Sequence, residues 1–370
     1  MDSSISSYNQ EINLLLIGYC HLDYGFLYAS KALEKLNYKI FFFPYLSHIM
    51  DNIENRDEIL IEKIKNDNIN VCLWWINNMN YESYKKIISE QNKEISGKTK
   101  VKNYFFNWDA FLYNYEKYNS YSWKDKIDNK KLYYPLMNHI FSCYETEIDY
   151  FKKEWNQPER ENDSNKSISY AHSGFDKNIS FYEYDEKYIC DISIVCTNLY
   201  NNTSEFPDES TNITRYEIVN KLYENRNKIN FHIYGPEHFR ELYPDCYKGF
   251  IKYRECNKVF SNSKINLSIH PMVNELNGLN SNEIYFSERV PQILGSKGLL
   301  LTNSYLSNKL INNEDYIFIN NHMDWFQLVM DIISDIDKYN IVRENGYNKA
   351  LLYYQWDKWA ECLDNQVRKT

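Results

Sequence analysis

The feature that most limits what this chain can fold into is an alternation. Short, almost unbroken apolar runs end at turn signals, and helix-spaced apolar residues lie between them. Ile12 to Tyr19 (INLLLIGY) is the first such run. A strand apolar on both faces belongs in a parallel sheet covered by helices, because a sheet with one wet face alternates apolar and polar residues. Phe26, Ala29, Leu33 and Leu36 then recur at helical spacing, and Lys39 to Tyr45 (KIFFFPY) supplies a second strand, completing a βαβ unit. The alternation predicts a helix around Ile59 to Ile64, strands Asn70 to Trp75, Lys102 to Trp108 and Ile140 to Cys143, a helix Glu145 to Trp155, and a strand Ile168 to Ala171. Asn156 to Ser167 is polar and reads as a loop; Ser173 to Glu186 reads as an interdomain connection.

The pattern restarts at Cys190 to Thr197 (CDISIVCT). It continues through helix Arg215 to Tyr223, strand Asn230 to Tyr234, helix Arg254 to Ser261, strand Lys264 to His270, helix Glu288 to Gly295, strand Gly298 to Thr302 and helix Trp325 to Tyr339. At roughly 150 residues per domain, 370 residues suit two domains. The expected fold class is therefore α/β, with two Rossmann-like doubly wound domains facing each other across a cleft. The N-terminal one spans 1–185, the C-terminal one 186–350, and a helix in 351–370 is expected to pack back on the N-terminal domain. In open α/β sheets ligands bind outside the carboxyl ends of the strands, so the cleft is the expected site.

Composition removes several classes of function. Lys+Arg 42 against Asp+Glu 51 gives a net charge of -9, which argues against a nucleic-acid partner. Gly 10 and Pro 8 are too few for a collagenous or linker-like chain, and 43% hydrophobic residues exclude global disorder. Cys 8, without a C-x-x-C, reads as reduced, mostly buried thiols rather than a disulfide framework or zinc site. The first residues lack signal-peptide character, and no apolar run approaches the roughly 18 residues that span a bilayer. A cytoplasmic protein with at most peripheral membrane contact is expected, the lysine-rich stretch Lys124 to Lys131 being the one segment that suggests such contact. Gly18 to Gly25 is not a G-x-G-x-x-G, so dinucleotide binding has little support. Asp335-Ile336-Asp337 has the form of a metal-binding D-x-D, but its helical setting turns Ile336 inward and the carboxylates to water.

The most informative segment is Ser287 to Asn303, SERVPQILGSKGLLLTN. Physically it is a helix start, a short helix, a glycine turn and a buried strand. The N–H groups around Ser287 to Val290, reinforced by Arg289, form an expected anion site. The segment resembles the nucleotide-sugar motif of GT-B glycosyltransferases, nearest the CgeB-like, group 1 type, which reads roughly R-x-x-E-I-L-G-x-G-G-L-L-L-T. Arg289, Gly295 and Gly298 match; Gln292 stands at the usual Glu, and Lys297 replaces a Gly. Further matches fall in family order: Ile192 to Asn198 with Arg215, Tyr234-Gly235-Pro236, Tyr247-Lys248-Gly249-Phe250 and Lys264 to His270. Phe106 to Asp109, Ile140 to Tyr144 and Ser173 to Asp176 match more loosely.

The resemblance implies a glycosyltransferase whose C-terminal domain binds a UDP- or GDP-linked sugar and whose N-terminal domain binds a glycan, lipid-linked or protein acceptor. A retaining course fits the E-x7-E relatives better than an inverting one, with no metal and no other cofactor. In those relatives the second Glu grips the donor ribose; Gln292 can still accept and donate there without charge. The first Glu would fall near Glu283 or Ile284. The implied donor-binding residues are Asn198, Arg215, Gly235, Lys248, Gly249, Phe250, Lys264, His270, Ser287, Arg289, Val290 and Gln292. Lys248 and Lys264 suit phosphate or base contacts, or equally a solvated face. At strand ends facing the cleft, His21, Asp23 and Asp109 are the catalytic candidates. His21 could be a general base, a donor or acceptor contact, or a surface histidine in a polar turn. An alternative keeps the fold without catalysis, as a nucleotide-sugar or glycan-binding protein.

Overall fold

A computed structural model describes residues 11–18, 25–76, 79–93, 100–107, 131–143, 145–155, 167–199, 215–270, 287–307, 309–320 and 323–369. Strands Ile12–Gly18 (β1), Tyr38–Phe43 (β2), Val71–Trp75 (β3), Lys102–Asn107 (β4), His139–Ser142 (β5) and Ile168–Tyr170 (β6) form one parallel sheet, ordered β2-β1-β3-β4-β5-β6. Helices Gly25–Glu34 (α1), Arg56–Asn66 (α2), Tyr81–Asn92 (α3) and Glu145–Trp155 (α4) alternate with these strands. Leu14 and Leu16 face one apolar cluster with Phe26, Ala29 and Leu33 of α1. Leu15 and Ile17 face the other, with Leu60 and Ile64 of α2. Burial on both faces is why the run is continuous rather than alternating.

The second sheet comprises Cys190–Val195 (β7), Phe231–Tyr234 (β8), Tyr247–Gly249 (β9), Ser263–Leu267 (β10), Leu300–Thr302 (β11) and Ile317–Phe318 (β12). Its strands are also parallel, ordered β12-β11-β10-β7-β8-β9. Among its helices are Arg215–Glu224 (α5), Cys256–Asn262 (α6), Arg289–Gly295 (α7) and Trp325–Ser334 (α8), followed by Asn340–Tyr353 (α9) and Trp356–Lys369 (α10). The direction of winding reverses between β1 and β3 in the first sheet and between β7 and β10 in the second. A crevice opens at the carboxyl ends of such strand pairs.

The expected helix Trp325 to Tyr339 is broken. The Asp335 backbone leaves the helical region (φ -147°, ψ 70°), its N–H still donating to the Asp331 carbonyl at 3.2 Å, and a 3-10 turn Ile336–Tyr339 follows. Asp335 there pairs with Lys338 at 2.9 Å. The last helix, α10, returns to the first sheet, where Trp359, Leu363 and Val367 join the cluster of Leu14, Phe26 and Trp75. The return is pinned at the connection between the halves: the Phe175 N–H donates to the Tyr354 carbonyl at 2.8 Å, and the Trp356 N–H to the Phe175 carbonyl at 3.1 Å. Among the described residues no helix is long and apolar enough to cross a membrane, and the described cysteines form no disulfide, Cys362 alone of them being exposed.

Candidate functional site

The crevice of the second sheet is built from backbone carbonyls gripped by a buried arginine. Arg215 opens α5 and is 7% exposed. Its Nε donates to the Ile269 carbonyl just past β10 at 2.9 Å, and its Nη1 to the Asn198 carbonyl past β7. One guanidinium thus ties together the two loops that flank the switch point. The end of β10 is tied on its other side to the residue following β11. Asn303 Oδ1 accepts from the His270 N–H at 2.9 Å, and Asn303 Nδ2 donates to the His270 carbonyl at 3.0 Å.

His270 is buried, with Nε2 3.1 Å from the Ser268 hydroxyl. Burial first, then the charges of Arg215, Arg289 and His172, push its pKa well below the ordinary histidine value, so the ring is neutral at neutral pH. Arg289, half-buried at the start of α7, makes no hydrogen bond or ion pair among the described residues. Its charge reaches both His270 and Cys196. A half-buried free guanidinium beside a buried one and a neutral imidazole is suited to an anion rather than to a cation. His172, just beyond β6, brings the first half of the chain to the same place.

Around this centre the donor candidates separate. Gly235, at the end of β8, lies so close under the Cys196 carbonyl that a Cβ would sit 2.3 Å from its oxygen. Gly249 ends β9 with φ of +100°, a conformation glycine adopts freely, and accepts from the Gly235 N–H at 3.1 Å. Phe250 follows it, 68% exposed. Asn198, Arg215, Gly235, Gly249, Phe250, His270, Ser287 and Arg289 all lie at or beyond strand carboxyl ends or at the starts of α5 and α7.

Lys264 does not join them. It sits near the amino end of β10, where Nζ pairs with Asp191 at 2.9 Å and donates to the Ile333 carbonyl at 3.2 Å. A side chain near the start of a parallel strand lies at the end of the sheet opposite the crevice. Lys248 is exposed on β9, and its charge is felt at Cys190 and His232, toward the amino ends of β7 and β8.

The helix-start anion site is also smaller than expected. α7 begins at Arg289 rather than Glu288, and the Val290 N–H is already spent on the Ser287 carbonyl at 2.9 Å. The Val290 side chain is wholly buried in the core. Ser287 keeps a buried hydroxyl with no partner. Gln292 is 4% exposed and its Nε2 is also without a partner. It lies beside the Tyr253 hydroxyl, out of hydrogen-bonding geometry, rather than opening into the crevice.

His21, Asp23 and Asp109 lie outside the described residues, as do Glu283 and Ile284 and the stretch Lys124 to Lys130. Sequence reasoning passed over Glu288, Tyr253 and His172. Of these only His172 carried a signal, its place one residue past the expected strand Ile168 to Ala171.

Residues 215–365, which contain most of this crevice, match the family described as glycosyl transferase-like. A glycosyltransferase from Rickettsia africae superposes with a TM-score of 0.59 at 11% identity, covering 97% of this chain and 98% of that one. The fold is that of the GT-B glycosyltransferases. A UDP-forming alpha,alpha-trehalose-phosphate synthase from Burkholderia vietnamiensis gives a TM-score of 0.61 at 8% identity over 98% and 100% of the two chains. An alpha-glucosyltransferase solved with UDP and a 13-mer DNA containing an HMU base gives 0.59 at 9% over 98% and 100%. At such identities the superpositions speak for the fold alone. No curated protein matches this chain in sequence, and the family match does not reach the CgeB-like subdivision.

Arg289 and Arg215 stand where the winding of the C-terminal sheet reverses. Among the described residues no group of three His, Cys, Asp or Glu side chains is placed to hold a metal ion.

Proposed function

We propose that this chain is a glycosyltransferase that binds a UDP- or GDP-linked sugar in the crevice of its C-terminal sheet and transfers the sugar to a glycan, lipid-linked or protein acceptor on the N-terminal side. The observation that carries the reading is the free, half-buried guanidinium of Arg289 beside Arg215 and neutral His270. Departure of a nucleoside diphosphate develops negative charge on its phosphate oxygens, and a fixed cation in a partly dry site stabilises that charge most. Phe250, exposed at the end of β9, suits stacking on the base. Of the superposing structures, the alpha-glucosyltransferase was solved with UDP and the trehalose-phosphate synthase is UDP-forming, which favours UDP as the first nucleotide to try. Retention follows from the resemblance of Ser287 to Asn303 to the E-x7-E type. The described cysteines, joined by no disulfide, fit a reducing compartment such as the cytoplasm.

Binding of UDP is expected to raise the melting temperature of the protein. At 100 times its dissociation constant a ligand adds about 2.7 kcal/mol to a folded state it binds exclusively. Arg289→Ala is expected to weaken UDP roughly 10- to 100-fold, the range for losing a charge-assisted contact, with the fold intact. A thermal-shift screen in which no nucleoside diphosphate stabilises the protein, or an Arg289→Ala variant that binds as wild type does, removes the donor-site assignment.

The same cation set leads to the expectation that turnover proceeds without a divalent metal. Activity on a panel of sugar nucleotides should persist in excess EDTA. Loss on chelation and recovery with magnesium or manganese would show that the leaving group is stabilised elsewhere.

A further inference from the structure

Next to Arg289 in the chain, a carboxyl group joins the two halves of the molecule. Glu288 caps the start of α7, one helical turn before Gln292. Its Oε1 accepts a hydrogen bond from the Tyr253 hydroxyl. The same oxygen occupies the place of a missing side chain in the other half: a Cβ built on Gly25, the first residue of α1, would lie 1.7 Å from Glu288 Oε1 and 2.5 Å from the Trp356 ring. Tyr253 continues the contact by stacking on Tyr28 of α1, ring centroids 5.6 Å apart at 16°. Trp356 Nε1 and Gln292 Nε2, both buried and without partners, border the cluster.

We propose that Glu288 is a positioning residue: seated against Gly25 and held by Tyr253, it keys the first turn of α1 against the start of α7 and so fixes Arg289 relative to the N-terminal half. This rests on the reading of Arg289 as the diphosphate contact. Gly25 does not have a left-handed backbone φ, so alanine is tolerated there by the main chain, and the Glu288 carboxyl and the Trp356 ring must give way to it.

The contact is also coupled to pH. Burial pushes the Glu288 carboxyl up to about 7, against the Tyr253 hydrogen bond and the Arg289 charge, which pull it down. The charged and titratable groups facing it are Arg289 on its own helix and Tyr253 from the 3-10 turn Tyr253–Glu255, and α1 presents Gly25. A group bound more tightly to its proton in the joined state favours that state fully below the ordinary glutamate value. The advantage is lost as pH rises toward 7 and is flat above it.

Hydrogen exchange of the full-length protein, followed in peptides covering α1 and α7, is the test. Glu288→Ala and Gly25→Ala should each speed exchange in both peptides about tenfold, and the double variant should be no faster than either single one. Glu288→Gln, which still accepts from Tyr253, should exchange as wild type at pH 5. It should lack the wild-type loosening between pH 5 and 7, after correction for intrinsic rates. UDP affinity should fall several-fold in Glu288→Ala and recover in Glu288→Gln. Additive effects of the two alanines, or faster exchange in α7 with α1 unchanged, would overturn the proposal. If wild type does not bind UDP, the donor reading fails while the exchange data still decide the role of Glu288.

Discussion

The two sheets share a parallel, doubly wound plan, yet the polar groups buried at their carboxyl ends carry opposite charge. In the C-terminal half the buried charge is Arg215, bonded to carbonyl oxygens, with Arg289 half-buried and free beside it. In the N-terminal half it is Glu147, 1% exposed in the first turn of α4. Its carboxylate accepts from the Tyr134 hydroxyl at 2.8 Å, from Asn107 Nδ2 at the end of β4, and from the Ser142 hydroxyl at the end of β5. Three neutral donors on an acid close a network, whereas a guanidinium without a partner leaves one open. The first arrangement holds strand ends in place; the second awaits an anion.

Removing the two charges should therefore have different consequences. The largest expected effect on stability is at Glu147. Glu147→Ala strands three buried donors and should cost roughly 3 kcal/mol in denaturant unfolding while leaving UDP affinity within about twofold. A marked loss of UDP binding in a folded Glu147→Ala protein would break the division of labour between the halves. Arg289→Ala sharpens the comparison from the other side, with affinity lost and stability kept.

At the lower end stands Lys264→Met. Its pair with Asp191 is partly exposed and lies at the far end of the sheet, so the change should cost about 0.2–1 kcal/mol and leave UDP affinity unaltered within about twofold. A substantial loss of nucleotide affinity would mean that the crevice has been placed at the wrong end of the second sheet.

How far the site was legible varies residue by residue. Arg215 and Arg289 were marked by the ordered matches along the C-terminal half, and His270 by its place just past a buried strand. Lys264 was misplaced although its own position told against it, since it opens the run that His270 closes. Val290 was credited with a free N–H because a helix beginning at Glu288 would have left one; the actual turn, starting a residue later, uses it. Gln292 was matched to a ribose contact by motif position, which carries no information about the Tyr253 side chain that lies beside it.

What the sequence determined by itself is the pair of parallel sheets. Strands covered by helices on both faces must be apolar on both faces, and helices between them must carry apolar residues every three or four positions, so both signatures are local. What only the tertiary structure decided is which distant groups share a space. That the Glu288 carboxyl fills the gap left by Gly25, that Tyr253 stacks on Tyr28, and that Phe175 is bracketed by Tyr354 and Trp356 are consequences of how two independently wound sheets meet. Such contacts depend on side-chain reach between elements far apart in the chain, and no periodicity within either element records them.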